Sequence, residues 1–328
     1  MTASTTLAPA RPGAPAVLMG IALMLVACGT SPGAPSGGTV EPSMPASQSP
    51  PESASVPPSV DLGAAAWSTK LGFGGVWIQV DPPVDQMVKV DVATGEIAMA
   101  IDGAIGIAFT DDGVWVAMPG HREVRKLDPV SGETLLSVPG GGAYLTSGAG
   151  SVWAVQSDGR ILRVDSASGE KLAEIPIEAT ELTDIAVDDD GAWVTAKEDG
   201  KVFRIDPATN QVVAEIETGA GAHGIVIDGS GVWVTNYREN SVSRIDPATN
   251  EVVATIDGVG SGVGITAADG AIWASTQGMG ISRIDPATNT AALVVELAGW
   301  SYGIAFAAGE LWISSVDRAL VYRVAILN

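Results

Sequence analysis

A tryptophan that follows a turn recurs along this chain. It stands in GGVW at Trp77, DGVW at Trp115, GSVW at Trp153, DGAW at Trp193, SGVW at Trp233, GAIW at Trp273 and GELW at Trp312. Successive spacings are 38, 38, 40, 40, 40 and 39 residues. So even a period marks a repeat architecture, in which a unit cannot bury its own apolar face and stacks on its neighbours. Every copy has the same grammar. A short apolar run such as GIVID (224–228) meets a tight Asp/Gly turn, and VWV or its equivalent follows. A polar loop then leads to a third run such as SVSRID (241–246), the element DPATN or a variant, and a last run such as EVVATI (251–256). This grammar predicts four strands joined by three hairpins, with no room for a helix.

DPATN shows the local physics. Asp bonds its own downstream backbone, and Pro presets φ for the second turn position. The fifth residue must turn left-handed to rejoin the ladder, which Gly or Asn tolerates. The chain places Gly95, Gly132, Gly169, Asn210, Asn250 and Asn289 there, and nothing else. A type I turn followed by a bulge is therefore expected six times.

Four antiparallel strands per repeat of about 40 residues predict a β-propeller, all-β, and seven copies predict seven blades. Stacked blades cover the inner strands on both faces, which explains why GIAFT (106–110) and GVWVT (231–235) are almost continuously apolar. The repeated Trp is expected to wedge between blades, where full burial contributes on the order of 5 kcal/mol. The seventh copy ends in VYRVAILN (321–328) and has no counterpart of EVVATI. PPSVDLGA (57–64) is expected to supply the missing outer strand and close the ring, so that no open sheet edge is left. Arg163, Arg204, Arg244, Arg283 and Arg323 recur blade by blade, which marks them as structural, with an ion pair to the neighbouring blade as the expected contact.

Charge and rare residues narrow the function. Seventeen basic against 38 acidic residues give a formal −21, which argues against nucleic acid and against electrostatic docking on an anionic membrane. Two histidines, His121 and His223, cannot build a multi-histidine metal centre, and one cysteine excludes an intramolecular disulfide. VDDDG (187–191) clusters three carboxylates but lacks the ligand spacing of a calcium loop, so it is a hairpin turn.

The first residues form an address. Arg11 precedes APAVLMGIALMLVA (14–27), a positive start before an apolar run too short to span a membrane comfortably. The sequence Leu25-Val26-Ala27-Cys28 resembles the lipobox of bacterial lipoproteins. That resemblance implies cleavage after residue 27, lipidation of Cys28 and an exported protein anchored on the outer side of the cytoplasmic membrane. Residues 28–56 are rich in Pro, Ser and Gly and poor in large apolar side chains, as expected of a disordered tether. The propeller is then expected over 57–328, as a monomer.

WVTN (233–236) with RIDPATNEVVATI (244–256) resembles the YVTN-type β-propeller repeat, and GIVIDGSGVWVTN (224–236) is similar to repeats of the virginiamycin B lyase (streptogramin lyase) propellers. The resemblance covers about residues 57–328. It implies the propeller fold, and among possible activities a magnesium-dependent lyase that abstracts a proton with histidine. Only His223 stands where a central-channel histidine is expected, because His121 lies in a polar loop after Trp115.

Propeller ligands usually meet the channel mouth, where inner strands converge. Ten residues before each marker Trp stand Trp67, Ile105, Ala143, Thr183, His223, Val263 and Tyr302. One residue later stand Ser68, Gly106, Tyr144, Asp184, Gly224, Gly264 and Gly303. The ring is uneven, with aromatics and a lone His and Asp among small residues. Trp67, Tyr144, Trp300 and Tyr302 are candidate flat faces for an apolar or sugar-like ligand, and His223 and Asp184 candidate polar contacts. Plain filling of the channel by these side chains is the competing reading. No metal ligands are expected, and magnesium enters only with the lyase alternative. The leading expectation is a lipid-anchored module that binds a small molecule or a protein at a channel mouth.

Overall fold

The computed structural model describes residues 58–326 apart from 83, 277, 279 and 298. The expected signal segment, Cys28 and the tether lie outside the described residues. Seven four-stranded antiparallel sheets stand around one axis, and 28 strands run β1 to β28 in chain order among the described residues. Blade 5 is representative: β18 (Ala222–Asp228) is innermost, followed outward by β19 (Gly231–Asn236), β20 (Ser241–Asp246) and β21 (Glu251–Asp257). The innermost strands of the other blades, in order, are β2 (Ala66–Gly72), β6 (Gly106–Thr110), β10 (Tyr144–Gly148), β14 (Leu182–Val187), β22 (Ile265–Ala268) and β26 (Ser301–Ala307).

Closure follows the expectation. The last sheet is ordered β1 (Ser59–Asp61), β28 (Leu320–Ala325), β27 (Glu310–Ser315), β26, with Val60 opposite Val321. The earliest described strand thus completes the blade built by the end of the chain, and β28 keeps no free edge.

The marker tryptophans are wedges. All seven are at most 1% exposed. Each packs into the core of the following blade: Trp233 of blade 5 lies among Ile272, Ala274 and Ile284 of blade 6, and Trp312 of blade 7 lies among Val76, Ile78 and Val88 of blade 1. Seven such cores alternate with seven sheets.

The DPATN turns take the expected form. Gly95, Gly132, Gly169, Asn210, Asn250 and Asn289 all have positive φ, and the Asn250 N–H closes the turn on Asp246 O at 2.8 Å. The ladder slips by one residue between Arg244 and Ile245, which is the bulge.

The recurrent arginines do not make the expected inter-blade ion pair. Arg204 stacks on Trp193 of its own blade, 4.7 Å from the ring centroid. Its guanidinium donates to Pro247 O at 2.7 Å and to Asn250 Oδ1 at 2.8 Å, both in the DPATN turn of the next blade. Arg244 repeats this with Pro286 O and Asn289 Oδ1, and Arg163 with Pro207 O and Asn210 Oδ1. The reason is local. The turn's Asp carboxylate accepts its own backbone N–H, as Asp246 Oδ1 does from Ala248 at 2.8 Å. A carbonyl and an amide are left facing the neighbour.

Candidate functional site

Glycine frequency on the inner strands has a steric cause. A Cβ on Gly224, Gly264 or Gly303 would collide with the inner-strand backbone of the next blade, at Val263, Tyr302 and Trp67 respectively. Bridging hydroxyls tighten the same contact: Thr235 Oγ1 accepts from Gly224 N–H at 2.9 Å and lies 3.5 Å from Val263 O, and Ser314 Oγ accepts from Gly303 N–H at 2.7 Å while donating to Trp67 O. Ser68, Tyr144 and Asp184 break the glycine rule at the equivalent position, and all three line the channel.

The channel has two parts on this side. An outer basin of about 280 Å³ is lined by Trp67, Tyr144, Tyr237, His223, Trp300 and Tyr302. The marker position accounts for seven of the chain's nine tryptophans, and the remaining two, Trp67 and Trp300, both line this basin. Three of the four tyrosines join them. Below it, a shaft of about 280 Å³ shares Trp67, Tyr144, His223, Val263 and Tyr302 with the basin and continues to Asp184 and Lys70. From the opposite face a further cavity of about 470 Å³ reaches the same Lys70 and Asp184, which therefore stand at the waist between the two mouths.

The structure thus brings five of the six sequence-derived ligand candidates to one mouth and sets the sixth, Asp184, below them at the waist. Tyr302 packs edge-on against Trp67, with centroids 5.0 Å apart, and edge-on against His223 at 5.9 Å. Its hydroxyl lies 3.5 Å from His223 Nε2. Trp300 stays 41% exposed at the rim, its N–H held by Asp317 Oδ1 at 3.0 Å.

Burial sets the protonation states. It lowers the His223 pKa to about 4, helped by the charge of Lys197, so the ring is neutral at neutral pH. Burial also raises the Tyr144 and Tyr302 phenols above their ordinary value, with Asp184 adding at Tyr144, and Tyr144 and then Asp184 adding at Tyr302. Asp184 is raised by burial, partly offset by Lys70, and Lys70 is lowered by burial, partly offset by Asp184. The basin thus presents neutral rings above the Lys70 and Asp184 pair.

Sequence reasoning missed Lys70, although the repeat contains its signal. Seven residues before each marker Trp stand Lys70, Ala108, Thr146, Ala186, Val226, Thr266 and Ala305, and Lys70 is the one charge in that column. Glu181 and Lys197, ion-paired at 2.6 Å in the basin wall, were missed because loop positions carry no period. His121 lies in a short 3-10 turn (Pro119–His121) with no buried residue.

Among the described residues no group of three His, Cys, Asp or Glu is placed to hold a metal ion. Asp184 accepts Ile185 N–H at 2.9 Å and Ile225 N–H at 3.2 Å, and its nearest titratable influence is a lysine.

Residues 136–322, more than half of the chain, match the family model described as "Domain of unknown function (DUF5074)". No curated protein matches the sequence. Solved structures share the fold. Virginiamycin B lyase from Staphylococcus aureus superposes with a TM-score of 0.70 at 16% identity, over 82% of this chain and 99% of that one. The β-propeller domain of Cps50 (Swd1) from Myceliophteria thermophila gives 0.69 at 12% identity, over 83% and 99%. The computationally designed Ika8 protein gives 0.61 at 15% identity, over 81% and 98%. At these identities the likeness is one of fold.

Proposed function

The chain belongs to the DUF5074 family, and from that premise and the geometry of the mouth we propose that it is a binding propeller. It captures a small molecule bearing a flat ring or apolar face at the aromatic end of its channel. The observation that carries this reading is the segregation of aromatics: Trp67 and Trp300, the two tryptophans outside the repeat frame, meet Tyr144, Tyr237 and Tyr302 in one basin. Packing alone gives no reason to collect them there, since equivalent positions in other blades hold Ile105, Ala143 and Val263. Concave, mostly apolar sites with a few polar groups are what small ligands use. The lipobox-like Leu25–Cys28 and the Pro/Ser/Gly tether support display of this propeller outside the cytoplasmic membrane on a lipid anchor.

Two experiments test this. Ligand-observed NMR with ring-bearing fragments should show binding to the wild type that is lost in Trp67→Ala and in Tyr302→Ala. Signals indifferent to both substitutions would overturn the mouth as the site. Palmitate labelling in cells should mark the wild type and not Cys28→Ser, and equal labelling of both refutes the anchor.

A lyase reading has one observation in its favour, a neutral His223 at the mouth of a fold shared with virginiamycin B lyase. It stays the second reading because, among the described residues, no group of three His, Cys, Asp or Glu stands together to hold a metal ion. Incubation with a cyclic depsipeptide lactone and magnesium decides it: turnover that vanishes in His223→Ala supports it, and no turnover removes it.

A further inference from the structure

Below the aromatic basin, two unlike charges from different blades face the shaft. Lys70 extends from β2 and donates from Nζ to Leu145 O at 2.7 Å. Asp184 on β14 accepts one backbone N–H on each oxygen, from Ile185 and Ile225. The two influence one another electrostatically, yet no ion pair within 4.0 Å joins them, whereas Glu181 and Lys197 in the basin wall are joined at 2.6 Å. Among the described residues, each of the two is therefore held by backbone groups only. Burial works against both charged forms, since it raises the Asp184 carboxyl and lowers the Lys70 amine. Both side chains are half-buried, and oppositely charged groups in such a site usually meet, because an uncompensated charge in a poorly solvated place is costly. Here the chain keeps them apart, with bonding capacity left on each: Lys70 Nζ has three N–H groups and one recorded protein acceptor.

An anion placed at Lys70 alone would leave Asp184 uncompensated, and a cation at Asp184 alone would leave Lys70 so. A head group carrying both signs compensates both. Resting on the reading of the basin as a ring-binding site, we propose that the channel takes a zwitterion of the α-amino-acid type. Its carboxylate meets Lys70, its ammonium meets Asp184, and its ring stays among Trp67, Tyr144 and Tyr302. Neutral His223 and the neutral phenols add no competing charge at the basin.

The test is calorimetry on the intact protein with four probes: L-phenylalanine, phenethylamine, 3-phenylpropionate and 2-phenylethanol. The amino acid should bind at least about tenfold more tightly than either singly charged analogue, the discrimination expected when a charged hydrogen bond is lost. Lys70→Met should bring L-phenylalanine to the level of phenethylamine, and Asp184→Asn to that of 3-phenylpropionate. The wild-type probe series stands even if either variant fails to fold. Equal affinity for all four probes overturns the zwitterion inference and leaves the aromatic basin intact. No binding of any probe, where other ring-bearing fragments bind at the basin, overturns the inference alone. No binding of any ring-bearing compound overturns the basin reading with it.

Discussion

The Arg204 guanidinium and the Asn250 side chain join two blades at 2.8 Å, and the same Asn250 carries the left-handed φ that ends its turn. One residue type thus serves local geometry and inter-blade contact at once. The pairing recurs at five of the seven blade junctions, whereas Arg323, which faces the turn ending in Gly95, bonds Glu310 of its own blade. Where the next turn ends in Asn, as at Asn210, Asn250 and Asn289, the cation is Arg163, Arg204 or Arg244. Where it ends in Gly132 or Gly169, which offer no side-chain acceptor, the cation is Lys89 or Lys126, which reaches a turn carbonyl of the next blade, and Lys126 also pairs with Asp112 of its own blade at 2.7 Å.

Asn250→Gly separates the two roles, since glycine keeps the backbone conformation and removes Oδ1. It should cost about 1 kcal/mol, a charged hydrogen bond discounted for partial exposure. Arg204→Met should cost more, because the carbonyl bond and the stacking on Trp193 go too. Urea midpoints should show the double variant costing less than the sum of the singles.

Trp233→Ala empties a fully buried wedge between blades 5 and 6 and should cost roughly 3–5 kcal/mol. An unchanged denaturation midpoint would remove the wedge role from all seven positions.

Deleting residues 1–61 strips β1 from β28 and leaves an unpaired edge beside Val321. The truncated protein should unfold at lower urea and aggregate in light scattering. Added peptide PPSVDLGA should partly restore the midpoint, and an indifferent truncation would show that the ring closes without this strand.

His223 gives a sign for acid stability. Its pKa falls from 6.5 in the unfolded chain to about 4 in the fold, so between those values the unfolded state binds more protons. Stability from this group is therefore full above pH 6.5 and is lost as the pH falls toward 4, by up to about 3 kcal/mol at 1.36 kcal/mol per unit. Asp184, raised by burial, acts in the opposite sense over the window above its ordinary value. His223→Gln should flatten the first dependence and leave the second, as read from urea midpoints measured at several pH values.

Trp300→Ala removes a side chain that is 41% exposed, so stability should shift by no more than about 0.5 kcal/mol. Its effect belongs to binding, and ring-bearing ligands should dissociate several-fold faster in stopped-flow fluorescence.

Much of this molecule was legible in one dimension. The Trp period names the number of sheets because each interface needs one wedge, and Gly or Asn after DPAT names the turn because only those residues turn left-handed cheaply. The missing last strand pointed to Val60 by the same count. The column of residues before each Trp even located Trp67, Tyr144, His223 and Tyr302, since inner strands at equal offsets reach equal depth. Lys70 was overlooked, and the inter-blade partners of Arg163, Arg204 and Arg244 are a carbonyl and an amide where an acid was expected, because a repeat tells which residues are equivalent and says nothing of what they face.

Period, turn chemistry and apolar patterning therefore determined a seven-bladed ring from the sequence by itself. Only the closed tertiary structure decided which exceptions to the repeat become neighbours. Lys70 and Asp184 are 114 positions apart and belong to the first and fourth blades. Curvature of the ring brings them to the waist of one channel, where burial and the lack of a direct bond give them their chemistry. That proximity is a property of closure around an axis, and no local run of residues encodes it.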